Sequence, residues 1–480
     1  MPVEAGNPQL RDRWRDRVRA AAEALGWPGP TLAERQHRTG TTLAFTAPLD
    51  ALLTATSVNE WALLAAADDL AIAHEQDAEE EELPPVETAQ AIAWLRDRAA
   101  SERGSVPEEV IASVRPDVPI ALVTGSNGKT TTTRLIAAML RADGHVAGYC
   151  CSDGVFVADE RIVAGDYSGP EGARRVLGDP RVTAAVLETA RGGLLRRGLV
   201  VPRADAAVIT NIAADHFGDY GIDSLDDLAR VKGVVAKALG AEGVLVMNGE
   251  DATLRALPLP FDGEVTWFDD RGESDLLPPS DQMPLALGGA ARHNIANAHA
   301  AALAAQALGA STAAIRATLR SFGSDNTDNA GRLERFEVAG MQVWIDYAHN
   351  PHGLGALLDA ARRYAAGGRL GLLLGQAGDR DDDAIRALAR TAWQATPSHI
   401  VLKDLDGSRR GRAAGDLPAL RRGELLAAGA REEQIEVSRD ETDGVRRLLE
   451  WGRPGDLLVL PVHALTAREK AIALVRGWNG

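Results

Sequence analysis

The stretch Thr124-Gly125-Ser126-Asn127-Gly128-Lys129-Thr130-Thr131 concentrates the residue types that hold a polyphosphate. Gly125 and Gly128 let the backbone curl, so that successive N–H groups through Ser126 and Asn127 face one anion. Lys129 adds a full positive charge near the outer phosphates, and the Thr130 hydroxyl, followed by Thr131, suits a Mg²⁺ ligand. A helix opening there contributes the positive end of its dipole. The chemistry served is the binding of a nucleoside triphosphate with its metal. Only two residues separate Gly125 from Gly128-Lys129, so the loop is a shortened form of the common phosphate-binding loop.

Such a loop needs a strand to deliver it and a helix to leave it. Residues 118–123 are a short apolar run suited to a buried parallel strand, and residues 130–141 carry helical periodicity. Further apolar runs at 184–187, 206–210 and 243–247 are separated by helical stretches such as 224–239. The pattern resumes at 342–345, 370–374, 399–402 and 456–461. Strands alternating with helices predict an α/β protein whose parallel sheets are covered on both faces. Texture changes place boundaries near 113 and 327, giving three units: a smaller N-terminal α+β domain (1–112) with a substrate or assembly role, a central P-loop parallel-sheet domain (113–326), and a C-terminal Rossmann-like α/β domain (327–480). The N-terminal unit shows helical runs at 11–25, 59–72 and 88–103, and the acidic block 75–82 reads as a solvated loop.

Composition narrows the class. The chain has 480 residues, 45% apolar and 25% charged, the profile of a soluble globular protein. A net charge of −16 argues against a broad nucleic-acid surface. The two cysteines, Cys150 and Cys151, are adjacent and support neither a structural disulfide nor a zinc site, which predicts a reduced compartment. The N-terminus lacks the apolar core of a secretory signal. The uncharged run 294–315 is too polar for a membrane span and reads as a buried soluble helix, so the expected location is cytoplasmic, with no membrane or nucleic-acid partner. Homo-oligomerisation is left open.

Later segments complete a pattern: Leu187-Glu188-Thr189-Ala190-Arg191-Gly192-Gly193, Thr210-Asn211-Ile212-Ala213-Ala214-Asp215-His216, Arg292-His293-Asn294, Gly331-Arg332-Leu333-Glu334, Asp346-Tyr347-Ala348-His349-Asn350-Pro351 and Gly375-Gln376-Ala377-Gly378-Asp379-Arg380-Asp381. With the shortened loop they resemble the Mur ligase superfamily over residues 113–480. The resemblance implies an ATP-dependent ligase that phosphorylates a carboxylate and lets an amine displace the phosphate, releasing ADP. Setting a carboxylate against a triphosphate calls for two divalent cations to offset the repulsion. By resemblance, Thr130, Glu188 and His216 hold Mg²⁺, and Lys232 is carbamylated and adds an anionic group near it. Lys129, Lys232, His216 and Arg332 form the implied catalytic set, with Asn294 at the adenine and Asp346, in the motif with His349, at the ribose. Taken alone, a Glu such as Glu188 at a strand end is more often a helix cap or a surface charge, and Asn294 at a helix start is otherwise an N-cap. Ser168, Arg191 and Arg196, near Glu188, together with Arg380, are candidates to hold a substrate carboxylate; the alternative is surface arginines in a Gly-rich loop.

Within the superfamily the resemblance is nearest to the cyanophycin synthetases. It rests on Cys151-Ser152-Asp153-Gly154-Val155, Gly165-Asp166-Tyr167-Ser168-Gly169-Pro170, Lys403-Asp404-Leu405-Asp406 with Arg410-Gly411-Arg412, and Phe45 to Asp50 near the N-terminus. Tyr167 stands where a threonine is expected. The roughly 112 residues before the phosphate loop leave no room for the ATP-grasp domain of those enzymes. The expectation is therefore amide or isopeptide formation between small-molecule carboxylate and amine substrates, without polymerisation. A muramoyl-peptide ligase is the weaker alternative, because residues 403–412 lack an Asp-Asn-Pro-Arg. A P-loop NTPase driving a partner is the other.

Overall fold

The computed structural model describes residues 8–27, 29–37, 40–45, 58–59, 61–63, 65–66, 88–102, 118–199, 201–215, 217, 222–259, 261, 263–365, 367–378, 380–404 and 412–478. In the N-terminal unit the helices Pro8–Ala24 and Thr88–Glu102 accompany a hairpin of β1 (Leu32–His37) and β2 (Gly40–Phe45). Trp14, Val18, Trp61 and Leu95 are buried in a common core, and the Trp14 indole donates to Asn59 Oδ1 at 3.0 Å. The acidic block 75–82 and most of 59–72 lie outside the described residues.

The central unit is an eight-stranded sheet. Its strands are β3 (Ile120–Thr124), β4 (Ala147–Cys151), β5 (Gly154–Val157), β6 (Glu160–Ala164), β7 (Ala184–Glu188), β8 (Ala204–Ile209), β9 (Leu239–Asn248) and β10 (Glu264–Phe268), in the order β10-β9-β8-β3-β7-β4-β5-β6. Strands β10 to β4 in this order pair in parallel; β5 and β6 close one edge as an antiparallel hairpin. Alternate residues of β3 enter two cores, Ala121 and Val123 on one face and Ile120 and Leu122 on the other. Both faces are covered, which is why the parallel strands read as unbroken apolar runs. The helix Lys129–Ala142 packs on one face against the Ala-rich helix Arg292–Ala307, whose small side chains admit a close neighbour.

The C-terminal unit has six strands: β11 (Glu334–Val338), β12 (Met341–Asp346), β13 (Leu370–Leu374), β14 (His399–Leu402), β15 (Ile435–Val437) and β16 (Leu457–Pro461), ordered β11-β12-β16-β13-β14-β15. All pairs are parallel except β11–β12.

Three details depart from the sequence expectation. Strands β6, β10 and β11 lie at sheet edges, and their mixed, partly exposed residues carry little apolar signal; β5 is mostly buried but only four residues long. The helix expected over 224–239 is α-helical only over Leu225–Gly233 and tightens to a 3₁₀ turn over Val234–Ala238. The uncharged run 294–315 breaks at Gly309, whose φ of +93° ends the first helix and separates it from Thr312–Ser321.

Candidate active site

Sheet order brings the motifs together. β3 lies between β7 and β8, and the register pairs Val123 with Glu188 and Thr124 with Ile209. The phosphate loop, the Glu188 carboxylate and the segment after Ile209 therefore leave the sheet side by side, at the carboxyl ends where parallel α/β sheets place their ligands.

The loop after β3 is held from the β8 side. Ser126 N–H donates to Asn211 O at 2.9 Å and Asn127 N–H to Asn211 Oδ1 at 3.0 Å. The Ser126 hydroxyl bonds Ala213 O and accepts from Ala213 N, both at 3.0 Å. The expectation that Ser126 and Asn127 turn their amides to an anion is thus corrected: these two amides anchor the loop. The groups left for an anion are the N–H groups of the first helical turn, Lys129, Thr130 and Thr131, which no preceding helical carbonyl satisfies. Both glycines are needed for this path. Gly125 (φ +142°) would place a Cβ 1.8 Å from Thr210 Oγ1, and Gly128 (φ +84°) one 2.3 Å from Asn297 Oδ1. Lys129 folds back, its ammonium donating to Ser126 O at 3.2 Å.

Thr130 Oγ1 donates to Glu188 Oε2 at 2.8 Å and lies 3.3 Å from Ser152 Oγ. Glu188 is buried, and burial pushes its carboxyl pKa up against the opposing charge of Lys129 and the Thr130 bond. A hydroxyl and a carboxylate in contact are a hard-oxygen pair, and with phosphate oxygens and waters they fit Mg²⁺ better than a softer metal. Among the described residues no group of three or more His, Cys, Asp or Glu surrounds such a site by itself. His216, the third expected ligand, lies outside the described residues, as does the side chain of Arg196.

Lys232 is buried below the loop, its Nζ donating to Gly125 O at 2.8 Å. Burial, reinforced by the positive charge of Lys129, drives its pKa well below that of an ordinary lysine. Ser168 holds Asp166 through its hydroxyl at 2.6 Å and accepts Ala190 N–H at its carbonyl, so it lines the turn after Glu188. Arg191 opens the short helix Arg191–Arg197 beside it.

The C-terminal unit closes over the loop. Arg332 Nη2 donates to Ser152 Oγ at 3.0 Å and to Thr130 Oγ1 at 3.4 Å, and its guanidinium lies 4.4 Å from the centre of the Tyr347 ring. Asn350 donates to Asn127 Oδ1 at 3.0 Å, and His352 Nδ1 lies 3.1 Å from Asn127 Nδ2. Asp215 receives Arg380 at 3.1 Å and His349 Nε2 at 3.3 Å. Arg380, expected at a substrate carboxylate, and His349, expected at the nucleotide, are thus joined to a carboxylate of the central unit. Asp346 ends β12 as expected, but both its oxygens already accept backbone N–H groups, from Leu333 at 2.8 Å and Ala348 at 2.7 Å. Asn294, buried and donating to Leu285 O at 3.0 Å, lines a small cavity with Leu287, Asn326 and Arg332.

Glu188, Thr130, Lys129, Lys232 and Arg332 therefore converge, while Asn294 shares its cavity with Arg332 and not with the other four. Sequence reasoning assigned no task to Asn211, Ser152, Arg134 or Arg468. The signal for Asn211 is a polar residue directly after an apolar strand; for the two arginines, a charge inside an otherwise apolar helical face.

Among known families, residues 123–305 match the Mur ligase middle domain and residues 331–461 the Mur ligase glutamate ligase domain. Cyanophycin synthetase of Nostoc sp. is 34% identical over 390 residues, which cover 74% of this chain and 42% of that protein. The chain thus spans less than half the length of that relative. The UDP-N-acetylmuramoyl-L-alanyl-D-glutamate–2,6-diaminopimelate ligase of Corynebacterium glutamicum is 28% identical, covering 74% of this chain and 72% of its own. A bifunctional folylpolyglutamate synthase/dihydrofolate synthase from Yersinia pestis, complexed with AMPPNP and Mn ion, shares the fold at a TM-score of 0.58 and 19% identity, over 77% of this chain and 91% of its own.

Proposed function

Because the chain belongs to the Mur ligase family, we propose that it is an ATP-dependent carboxylate–amine ligase: it transfers the terminal phosphoryl group of ATP to a carboxylate, and an amine then displaces phosphate to form an amide or isopeptide bond. The observation that carries this reading is the meeting of Thr130, Glu188 and Arg332, drawn from three separate segments and two sheets, at the first turn of the phosphate-loop helix.

Each residue has a task in this reading. The N–H groups of Lys129 to Thr131 and the Lys129 ammonium cradle the outer phosphates. Thr130 and Glu188, with His216 as the sequence expects, hold Mg²⁺. That ion supplies charge neutralisation where carboxylate and triphosphate meet. Arg332 approaches from the C-terminal unit and stabilises charge on the phosphoryl group in flight. The Asn127–Asn350 and Asp215–Arg380 bonds hold the two units closed, which keeps water from an acyl phosphate. Asn294 borders the base and Asp346 the ribose. Lys232, buried and favoured as the neutral amine, suits reaction with CO₂ to a carbamate with release of one proton to solvent, which would put an anion where a neutral amine stands beneath the loop. The substrates are small molecules, with the carboxylate near Ser168 and Arg191.

The test is substitution. Lys129→Ala and Glu188→Ala should abolish amine-dependent ADP release while circular dichroism and the melting transition stay at wild-type values. Turnover retained in either variant rejects the reading.

A further inference from the structure

One charged cluster lies outside the groups assigned above. Asp153, buried just after β4, accepts Arg134 Nη2 on one oxygen at 2.7 Å and Arg468 Nη2 on the other at 2.6 Å. Arg134 belongs to the phosphate-loop helix Lys129–Ala142 and Arg468 to the C-terminal helix Leu465–Arg476. The carboxylate thus ties the two units together from inside.

The segment that crosses between the units threads through this cluster. Arg134 Nη1 donates to Ala330 O at 2.8 Å, and Asn329 Nδ2 reaches Thr131 Oγ1 and Arg332 O, both at 3.2 Å. Glu334 accepts Gly331 N–H at 2.6 Å. Gly331 sits so close to Arg468 that a Cβ would lie 1.9 Å from its Nη1. Arg332 is flanked by two left-handed residues, Gly331 at φ +72° and Leu333 at φ +54°. A bulky residue keeps that conformation only where its surroundings over-determine it. Here the surroundings are the Arg134–Asp153–Arg468 cluster on one side and the Asp346–Leu333 bond on the other.

We infer that Asp153 is a positioning residue for Arg332: by holding Arg134 and Arg468 on its two oxygens it fixes the Asn329–Gly331 crossing and aims the next guanidinium at the phosphate loop. The inference rests on the proposed role of Arg332 at the terminal phosphate. Arg332, Arg134 and Arg468 face Asp153, and Arg468, Arg134 and Arg476 face Glu334. Removing Asp153's charge therefore leaves the guanidiniums to repel one another, and Arg332 loses its setting without losing any of its own atoms.

The experiment titrates the full-length chain with Mg-ADP and with Mg-AMPPNP by calorimetry. Mg-ADP reports the nucleotide site itself; the ratio of AMPPNP to ADP affinity reports the group that meets the terminal phosphate. Arg332→Gln should lower that ratio about ten-fold, the scale of one charge-assisted hydrogen bond. Asp153→Asn and Arg468→Gln should each lower it about five-fold or more, with Mg-ADP affinity within about two-fold of wild type. Asp153→Asn combined with Arg332→Gln should go no lower than Arg332→Gln alone, since the first acts through the second. Arg468→Gln leaves the neutral Arg134–Asp153 pair intact and serves where Asp153→Asn fails to fold. A wild-type ratio in both variants, equal losses for ADP and AMPPNP, or additivity with Arg332→Gln overturns the inference and leaves the proposed function standing. No Mg-ADP binding by the wild-type chain overturns both.

Discussion

Replacing Gly125 by alanine tests the geometry of the phosphate loop at its most crowded point. The residue has φ +142°, a conformation rare for L side chains, and the new Cβ would lie 1.8 Å from Thr210 Oγ1 and 3.0 Å from Thr210 N. Backbone strain of this kind costs about 1–3 kcal/mol. Thr210 must also swing away from Asn127 O, which its hydroxyl now meets at 2.6 Å, and a lost buried hydrogen bond costs about 1 kcal/mol. Together these predict a destabilisation of about 2–4 kcal/mol in the central sheet. Mg-ADP affinity should fall with it, because the anchored loop precedes the helix turn that meets the phosphates. Urea unfolding monitored by hydrogen exchange of β3 and β8 reads the first, and calorimetry the second. A Thr210→Ala background separates the two parts: there the Oγ1 clash and its hydrogen bond are gone, and Gly125→Ala should cost the backbone share and the remaining tight contacts at 3.0 Å to the Cβ and N of residue 210. A Gly125→Ala chain within about 0.5 kcal/mol of wild type, the ordinary scatter of a neutral change, with unaltered Mg-ADP affinity, would show that the loop does not depend on this glycine.

Two further predictions concern titration. Lys232 is driven toward the neutral amine by burial, so stripping CO₂ from buffers should lower ligase activity and bicarbonate should restore it, while a Lys232→Arg chain should not respond; ¹³C-bicarbonate labelling followed by NMR detects the carbamate. Burial raises the Asp153 pKa, but Arg332, Arg134 and Arg468 outweigh it and hold the carboxyl at about 2, below the unfolded value. Its stabilising share, about 2 kcal/mol, is therefore complete above the unfolded carboxylate pKa and is lost as pH falls from about 4 toward 2. Acid-unfolding curves of Asp153→Asn should lack that part of the slope, and an identical curve contradicts the assignment.

What could be read in the sequence was what is local. Residues 118–141 carry the strand, the loop and its helix in one stretch, so type and spacing alone point to an anion site. Glu188 was legible as the end of an apolar run, although only sheet order shows that it meets Thr130. The task of Ser126 and Asn127 was not legible, because their amides are taken by Asn211, more than eighty residues later. The cluster of Asp153 with Arg134 and Arg468 joins positions as far as 315 residues apart, and no periodicity or spacing rule connects them. Arg332 stands out only through family resemblance; nothing in its own sequence neighbourhood says that it reaches Thr130. The edge strands escaped for another reason: half-exposed strands bury too few side chains to impose an apolar pattern.

A ligase of this kind consumes three substrates together. The most direct measurement incubates the purified chain with Mg-ATP and a panel of carboxylates and amines, following ADP release together with product mass. It predicts ADP release that requires both a carboxylate and an amine, one ADP for each new amide bond, and none from Lys129→Ala. ADP released at the same rate with either co-substrate omitted, and no condensed product, would contradict it.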